Sequence, residues 1–131
     1  PDLCFTCHDK REFTKKDVHK PVEAGACLTC HTPHASDEMA LLLKNPLDTC
    51  LQCHKDASHG RHFTVKQRPT NEAKGGKPEE TEPTEPMDPN RPGKPFYCGT
   101  CHNPHSTDSP LLFRFGAKSI TDLCDHCHKM R

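Results

Sequence analysis

The chain has 131 residues, with 31% apolar side chains, no Trp, a single Tyr and a mean hydropathy of −0.88. A chain this polar cannot offset its ordering entropy by burying its own side chains, so its core must come from something else. Lys and Arg balance Asp and Glu at 18 each, which excludes the basic face of a nucleic-acid binder, and no apolar run, the longest being Met39 to Leu43, reaches membrane-spanning length.

In chain order, the sequence opens on Asp2-Leu3-Cys4-Phe5-Thr6-Cys7-His8. A short helix is predicted over 11–19, and His19 begins a His-x-x-Val stretch. Next come Cys27-Leu28-Thr29-Cys30-His31-Thr32-Pro33-His34 and a second predicted helix over 37–44, which contains Leu41-Leu42. A third, over 47–55, opens at Asn45-Pro46 and carries Asp48-Thr49-Cys50-Leu51-Gln52-Cys53-His54. His59 follows, then His62 in a second His-x-x-Val. Residues 66–95 hold seven of the 13 prolines together with Gly75-Gly76, and read as an extended, solvated loop. Beyond it lie Cys98-Gly99-Thr100-Cys101-His102-Asn103-Pro104-His105, then Leu111-Leu112. A last helix over 119–129, opened by Ser119, carries Asp122-Leu123-Cys124-Asp125-His126-Cys127-His128.

All ten cysteines thus fall in five copies of Cys-x-x-Cys-His. This is the attachment pattern for c-type haem: the two thiols bond covalently to the haem vinyl groups and the histidine ligates iron. In a helical turn, residues three and four apart share a face, so both sulfurs and the imidazole can address one porphyrin. A zinc knuckle does not require His directly after the second Cys, and disulfides would leave the histidines unexplained. Five haems would supply the missing core, and the chain without them is expected to be largely unfolded. Their propionates would make the loaded protein anionic, with some of the Lys and Arg side chains neutralising them.

The motifs alternate between two kinds. The first, third and fifth carry Asp two residues ahead (Asp2, Asp48, Asp122), whereas the second and fourth continue as His-x-Pro-His. The repeating unit covers 2–34, then 48–105, with a partial third copy over 122–131. These residues resemble the doubled Cys-x-x-Cys-His multihaem cytochromes, over 1–62 and 96–131. With five motifs the chain also looks like the small periplasmic pentahaem electron carriers that serve multihaem reductases. The resemblance implies closely stacked haems, mostly with two histidines on each iron. The implied fold is a single domain over 1–131, mostly irregular with a few short α-helices and no significant β-sheet, wrapped around the haems. Covalent haem attachment takes place outside the cytoplasmic membrane, so the expected location is periplasmic or extracellular, with a leader removed.

Of the 11 histidines, His8, His31, His54, His102 and His128 are the proximal ligands. His34, three residues after His31, cannot reach the far face of its own haem, and is assigned to the neighbour at Cys50/Cys53. By the same reasoning His105 goes to the haem at Cys124/Cys127. His19 and His62 are assigned to the haems at Cys27/Cys30 and Cys98/Cys101. His59 is the first choice for the haem at Cys4/Cys7; a histidine from a neighbouring subunit or from residues ahead of Pro1, or an open iron, are the alternatives. His126, between the cysteines of its own motif, is read as a surface residue.

Six-coordinate iron passes electrons and leaves no position for substrate. The expected function is an electron relay, not catalysis, with five covalently bound haem c groups. The expected partners are redox proteins, such as a multihaem reductase, a quinol dehydrogenase or another cytochrome, bound through a small transient interface. Two alternatives remain: a subunit of an extended haem filament assembled through the first haem, and a multihaem reductase with one open iron.

Overall fold

The computed structural model describes residues 1–59, 63–64 and 87–129, with backbone alone at 58, 59, 63 and 64. As expected, the chain is mostly irregular. Among the described residues there are four short helices, α1 Lys20–Glu23, α2 Pro46–Leu51, α3 Cys98–Cys101 and α4 Ile120–Asp125, together with several 3-10 turns. Four two-residue strands, β1 Asp17–Val18, β2 Ser58–His59, β3 Phe63–Thr64 and β4 Ser106–Thr107, form two antiparallel ladders, β1 with β4 and β2 with β3.

The two longest helices begin where the sequence signals a start. The Asn45 side chain accepts from the Asp48 N–H at 2.9 Å, and Ser119 accepts from the Asp122 N–H at 3.1 Å. Both are N-caps, and they give the Asp-x-Cys pattern a structural reason: the acid sits in the first turn, where it favours the helix dipole. Each helix is shorter than predicted and ends near the first cysteine of its motif. α1 was not foreseen. It closes in a Schellman turn, with Ala26 N–H donating to Pro21 O at 2.8 Å and Gly25 N–H to Val22 O at 2.9 Å. Gly25 takes the left-handed conformation this turn needs, at φ +70°.

Two expectations are corrected. The helix over 11–19 does not form: residues Lys10–Phe13 make a 3-10 turn, and β1 then pairs outward, Asp17 with Thr107 and Val18 with Ser106. Tertiary pairing overrides local propensity there. The helix over 37–44 is a 3-10 turn, Met39–Leu41, broken by left-handed residues Ala40 (φ 53°) and Leu41 (φ 55°). Of the loop over 66–95, residues 66–86 lie outside the described residues, and residues 87–95 form a closed turn. In it Asp88 N–H donates to Lys94 O at 2.9 Å, and Lys94 N–H donates to Arg91 O at 3.0 Å.

That turn is pinned to the fourth motif. Asp88, only 3% exposed, accepts from Thr100 Oγ1 at 2.7 Å, Arg91 Nε at 2.8 Å and the Asn90 N–H at 2.9 Å. The Arg91 guanidinium also lies over the Tyr97 ring at 3.9 Å.

Side chains supply almost no core. Among the described residues only Phe113 and Ala117 are buried apolar side chains, while Leu3 is 84% exposed and Leu28 is 61% exposed. Leu28 lies inside the second motif and Leu3 directly before the first. The apolar surface is gathered where a large apolar cofactor would cover it.

Candidate haem-binding site

Each described motif forms one helical turn in which the histidine N–H donates to the first cysteine's carbonyl. The distances are 2.9 Å for His8, 3.1 Å for His31, 3.0 Å for His54, 2.9 Å for His102 and 2.8 Å for His128. Both sulfurs and the imidazole therefore start from one short turn, as covalent haem attachment requires.

The second and fourth motifs share more than this turn. His31 Nδ1–H donates to the carbonyl of Ala40 at 2.8 Å, and His102 Nδ1–H to the carbonyl of Leu111 at 2.7 Å, nine residues later in both cases. A carbonyl can only accept, so the proton sits on Nδ1, the tautomer in which Nε2 carries the lone pair that ligates iron. The left-handed pairs Ala40-Leu41 and Leu111-Leu112 aim those carbonyls. Outside glycine this conformation costs about 1–2 kcal/mol per residue, and its occurrence twice at equivalent places marks it as functional.

The remaining bonds repeat at one constant sequence shift, the one that carries His31 to His102. Thr32 N–H donates to Leu41 O and Asn103 N–H to Leu112 O; Leu43 N–H donates to Cys30 O and Arg114 N–H to Cys101 O. Ser36 Oγ donates to Leu42 O, as Thr107 Oγ1 does to Phe113 O. This register matches Leu41 to Leu112. The sequence pairing of Leu41-Leu42 with Leu111-Leu112 is one residue out of step.

Four of the non-motif histidines have described side chains. His19 does not face His31. Its ring lies opposite that of His54, with centroids 6.0 Å apart and planes 23° from parallel. His105 faces His31, with centroids 5.9 Å apart, rather than turning to the fifth motif. His34 is exposed and makes no ring contact among the described residues. His126 lies flat on Phe115, with ring centroids 3.5 Å apart. The His59 side chain and all of His62 fall outside the described residues.

Burial, followed by the nearby His31, holds the His105 imidazole below its usual titration range, and His19 is lowered chiefly by burial as well. Both therefore favour the neutral form, the one that can bind a metal. His19 Nδ1–H donates to the Pro104 carbonyl at 3.0 Å, so its Nε2 is the free nitrogen.

The cysteines link the motifs into a series. Burial, then the nearby Cys53, pushes the Cys30 thiol up. Cys50 and Cys98 perturb one another's thiols, which raises Cys50 above the ordinary thiol range and lowers Cys98 to about 7. Burial raises Cys101, and the neighbouring Cys127 and Cys124 add to it. The second motif thus adjoins the third, the third the fourth and the fourth the fifth, with α2 packed on α3. At the other end Phe13 stands between the first motif and the last histidine of the fourth, its ring 6.5 Å from His8 and 4.8 Å from His105. In the haem-loaded protein these free thiols become thioethers.

The residues fit haem c. Two sulfurs and one imidazole are offered at each turn, the Nδ1 protons of His31 and His102 are tied back, and the adjacent apolar surface has no other cover. Among the described residues no helix is long and apolar enough to cross a membrane. No curated protein matches the chain, and no solved structure does. The sequence model of the doubled CXXCH motif matches residues 19–59 and 89–131, well over half of the chain, and takes in the second to fifth motifs. The matched pattern is that of covalently bound haem c and of electron transfer. The chain therefore belongs to the doubled CXXCH family and is a multihaem c-type cytochrome.

Proposed function

We propose that this protein carries five haem c groups in line and acts as an electron relay between redox partner proteins outside the cytoplasmic membrane, in the periplasm or beyond it. The observation that carries this reading is that every motif turn offers two cysteines and a histidine together, with the third motif's helix α2 packed on the fourth motif's α3. Each sulfur attaches at a porphyrin edge, so motif turns that pack together bring neighbouring edges together.

When bound, haem supplies a one-electron couple at each site. The chain's own part is to space the sites, orient the proximal imidazoles and fill the second axial positions. Ala40 O and Leu111 O fix the rings of His31 and His102. Histidines outside the motifs (His19, His34, His59, His62 and His105) are the pool of distal ligands that leaves iron six-coordinate and low-spin. Partners would be a multihaem reductase, a quinol dehydrogenase or another cytochrome, docking weakly over an exposed haem edge.

Intact-mass measurement should show five covalent haem additions, and the oxidised protein should give a low-spin electron paramagnetic resonance spectrum. A substantial high-spin ferric signal would favour the reductase reading, in which one iron is open. The exposed His34 favours a second reading, a filament in which one copy's histidine ligates a neighbour's iron. Light scattering on the loaded protein separates that assembly from a monomeric carrier.

A further inference from the structure

We propose that His105 and His19 are the distal ligands of the irons held at Cys27/Cys30 and Cys50/Cys53, and that the β1/β4 ladder carries both as one clamp reaching across the two repeats. This rests on the haem reading above and adds which histidine serves which iron.

The first argument is a distance. A metal–imidazole bond is about 2 Å long and the ligating nitrogen lies about 1.2 Å from its ring centroid, so two imidazoles on opposite sides of one iron have centroids roughly 6 Å apart. His31 and His105 stand at 5.9 Å, and His19 and His54 at 6.0 Å. Face-to-face ring contact needs a far shorter separation, such as the 3.5 Å between Phe115 and His126. The two histidine pairs are held apart by the space that one iron atom would span.

The second argument is the scaffold. His19 N–H donates to His105 O at 2.9 Å, continuing the ladder that pairs Val18 with Ser106. His19 Nδ1–H donates to the carbonyl of Pro104, the residue beside His105. Ser106, fully buried, accepts from Lys15 N–H at 3.2 Å and donates to Glu12 O at 2.9 Å. The ladder thus presents one ligand from each strand to two consecutive irons. Because one ligand comes from before the second motif and the other from after the fourth, the irons cross-link the ends of the chain.

The test uses the haem-loaded protein with His105→Met and His19→Met, read by the absorption of a methionine–iron bond and by electron paramagnetic resonance. Each variant should convert one iron. The His105→Met signal should vanish when Cys27→Ala/Cys30→Ala is added, and the His19→Met signal when Cys50→Ala/Cys53→Ala is added. A His105→Met signal that instead depends on Cys124 and Cys127, or that never forms, overturns the assignment. Should those variants fail to fold, a crystal structure of the wild-type holoprotein decides directly: His105 and His31 on one iron supports the pairing, and any other pair on that iron overturns it. Intact mass separates the two levels, since five haems with a different pairing sinks only the clamp, and missing haems sink the count proposed above.

Discussion

Residues 30–43 and 101–114 repeat one set of turn-closing hydrogen bonds, yet the histidines that end their His-x-Pro-His motifs meet different surroundings. His105 is half-buried between Phe13 and His31, whereas His34 is exposed. The motif cannot account for this, being the same in both. The residue after it can. Ser106 is buried and ties the ladder to Glu12 and Lys15, while its counterpart Ala35 is exposed and has no hydroxyl. A second difference lies inside the motif, where Thr100 bonds the buried Asp88 and its counterpart Thr29 is exposed. The motif sets the local turn and the proximal histidine, and the elements docked on it set what its second histidine reaches.

Four measurements would break or sharpen this contrast. The largest effect should follow loss of a docked ligand: His105→Ala should turn about one-fifth of the ferric iron high-spin, read by electron paramagnetic resonance. His34→Ala should leave the irons at the second and third motifs low-spin, and equal effects from the two variants would erase the contrast.

Next in size is Asp88→Asn, expected to destabilise the holoprotein by about 2–3 kcal/mol in denaturant titration, because a buried, multiply bonded carboxylate is lost. Burial alone would raise the Asp88 carboxyl, but the bonds from Arg91, Thr100 and the Asn90 backbone outweigh it and hold it below the usual carboxylate range. The stability it contributes is complete above the unfolded carboxylate value of about 3.9 and is lost as pH falls through the lowered folded value. Acid unfolding of the wild type should therefore show a component below about pH 4 that Asp88→Asn lacks.

A smaller loss, about 1–2 kcal/mol, is expected for Ser106→Ala, and it should broaden the low-spin signals of two haems together. A change confined to one haem would contradict a shared ladder. Smallest is the left-handed turn: Leu111→Val should cost about 1 kcal/mol, since a β-branched residue suits that conformation poorly, whereas Leu111→Gly should be near neutral. The Leu111 side chain is 73% exposed, so lost packing does not obscure the comparison.

Much of the site was legible before any coordinates. Five Cys-x-x-Cys-His copies, the alternation with His-x-Pro-His and the caps at Asn45 and Ser119 are local patterns, and local patterns survive into the fold. The role of the Leu-rich stretches was not legible, because Ala40 and Leu111 act through backbone carbonyls in a conformation their side chains disfavour. Nor was the short helix α1, whose cue, Gly25 at its end, reads as one glycine among several.

By itself the sequence determined the chemistry: which side chains can bind haem, and that two kinds of motif alternate along the chain. Only the tertiary structure decided the placement of the other histidines. His19 and His54, or His31 and His105, are brought together by the pairing of β1 with β4 and by packing between motifs distant along the chain. Sequence spacing predicts which residues share a turn, because a helical turn has a fixed geometry. It carries no information on which turn will lie opposite, since that depends on pairings such as Val18 with Ser106, whose partners no local period connects.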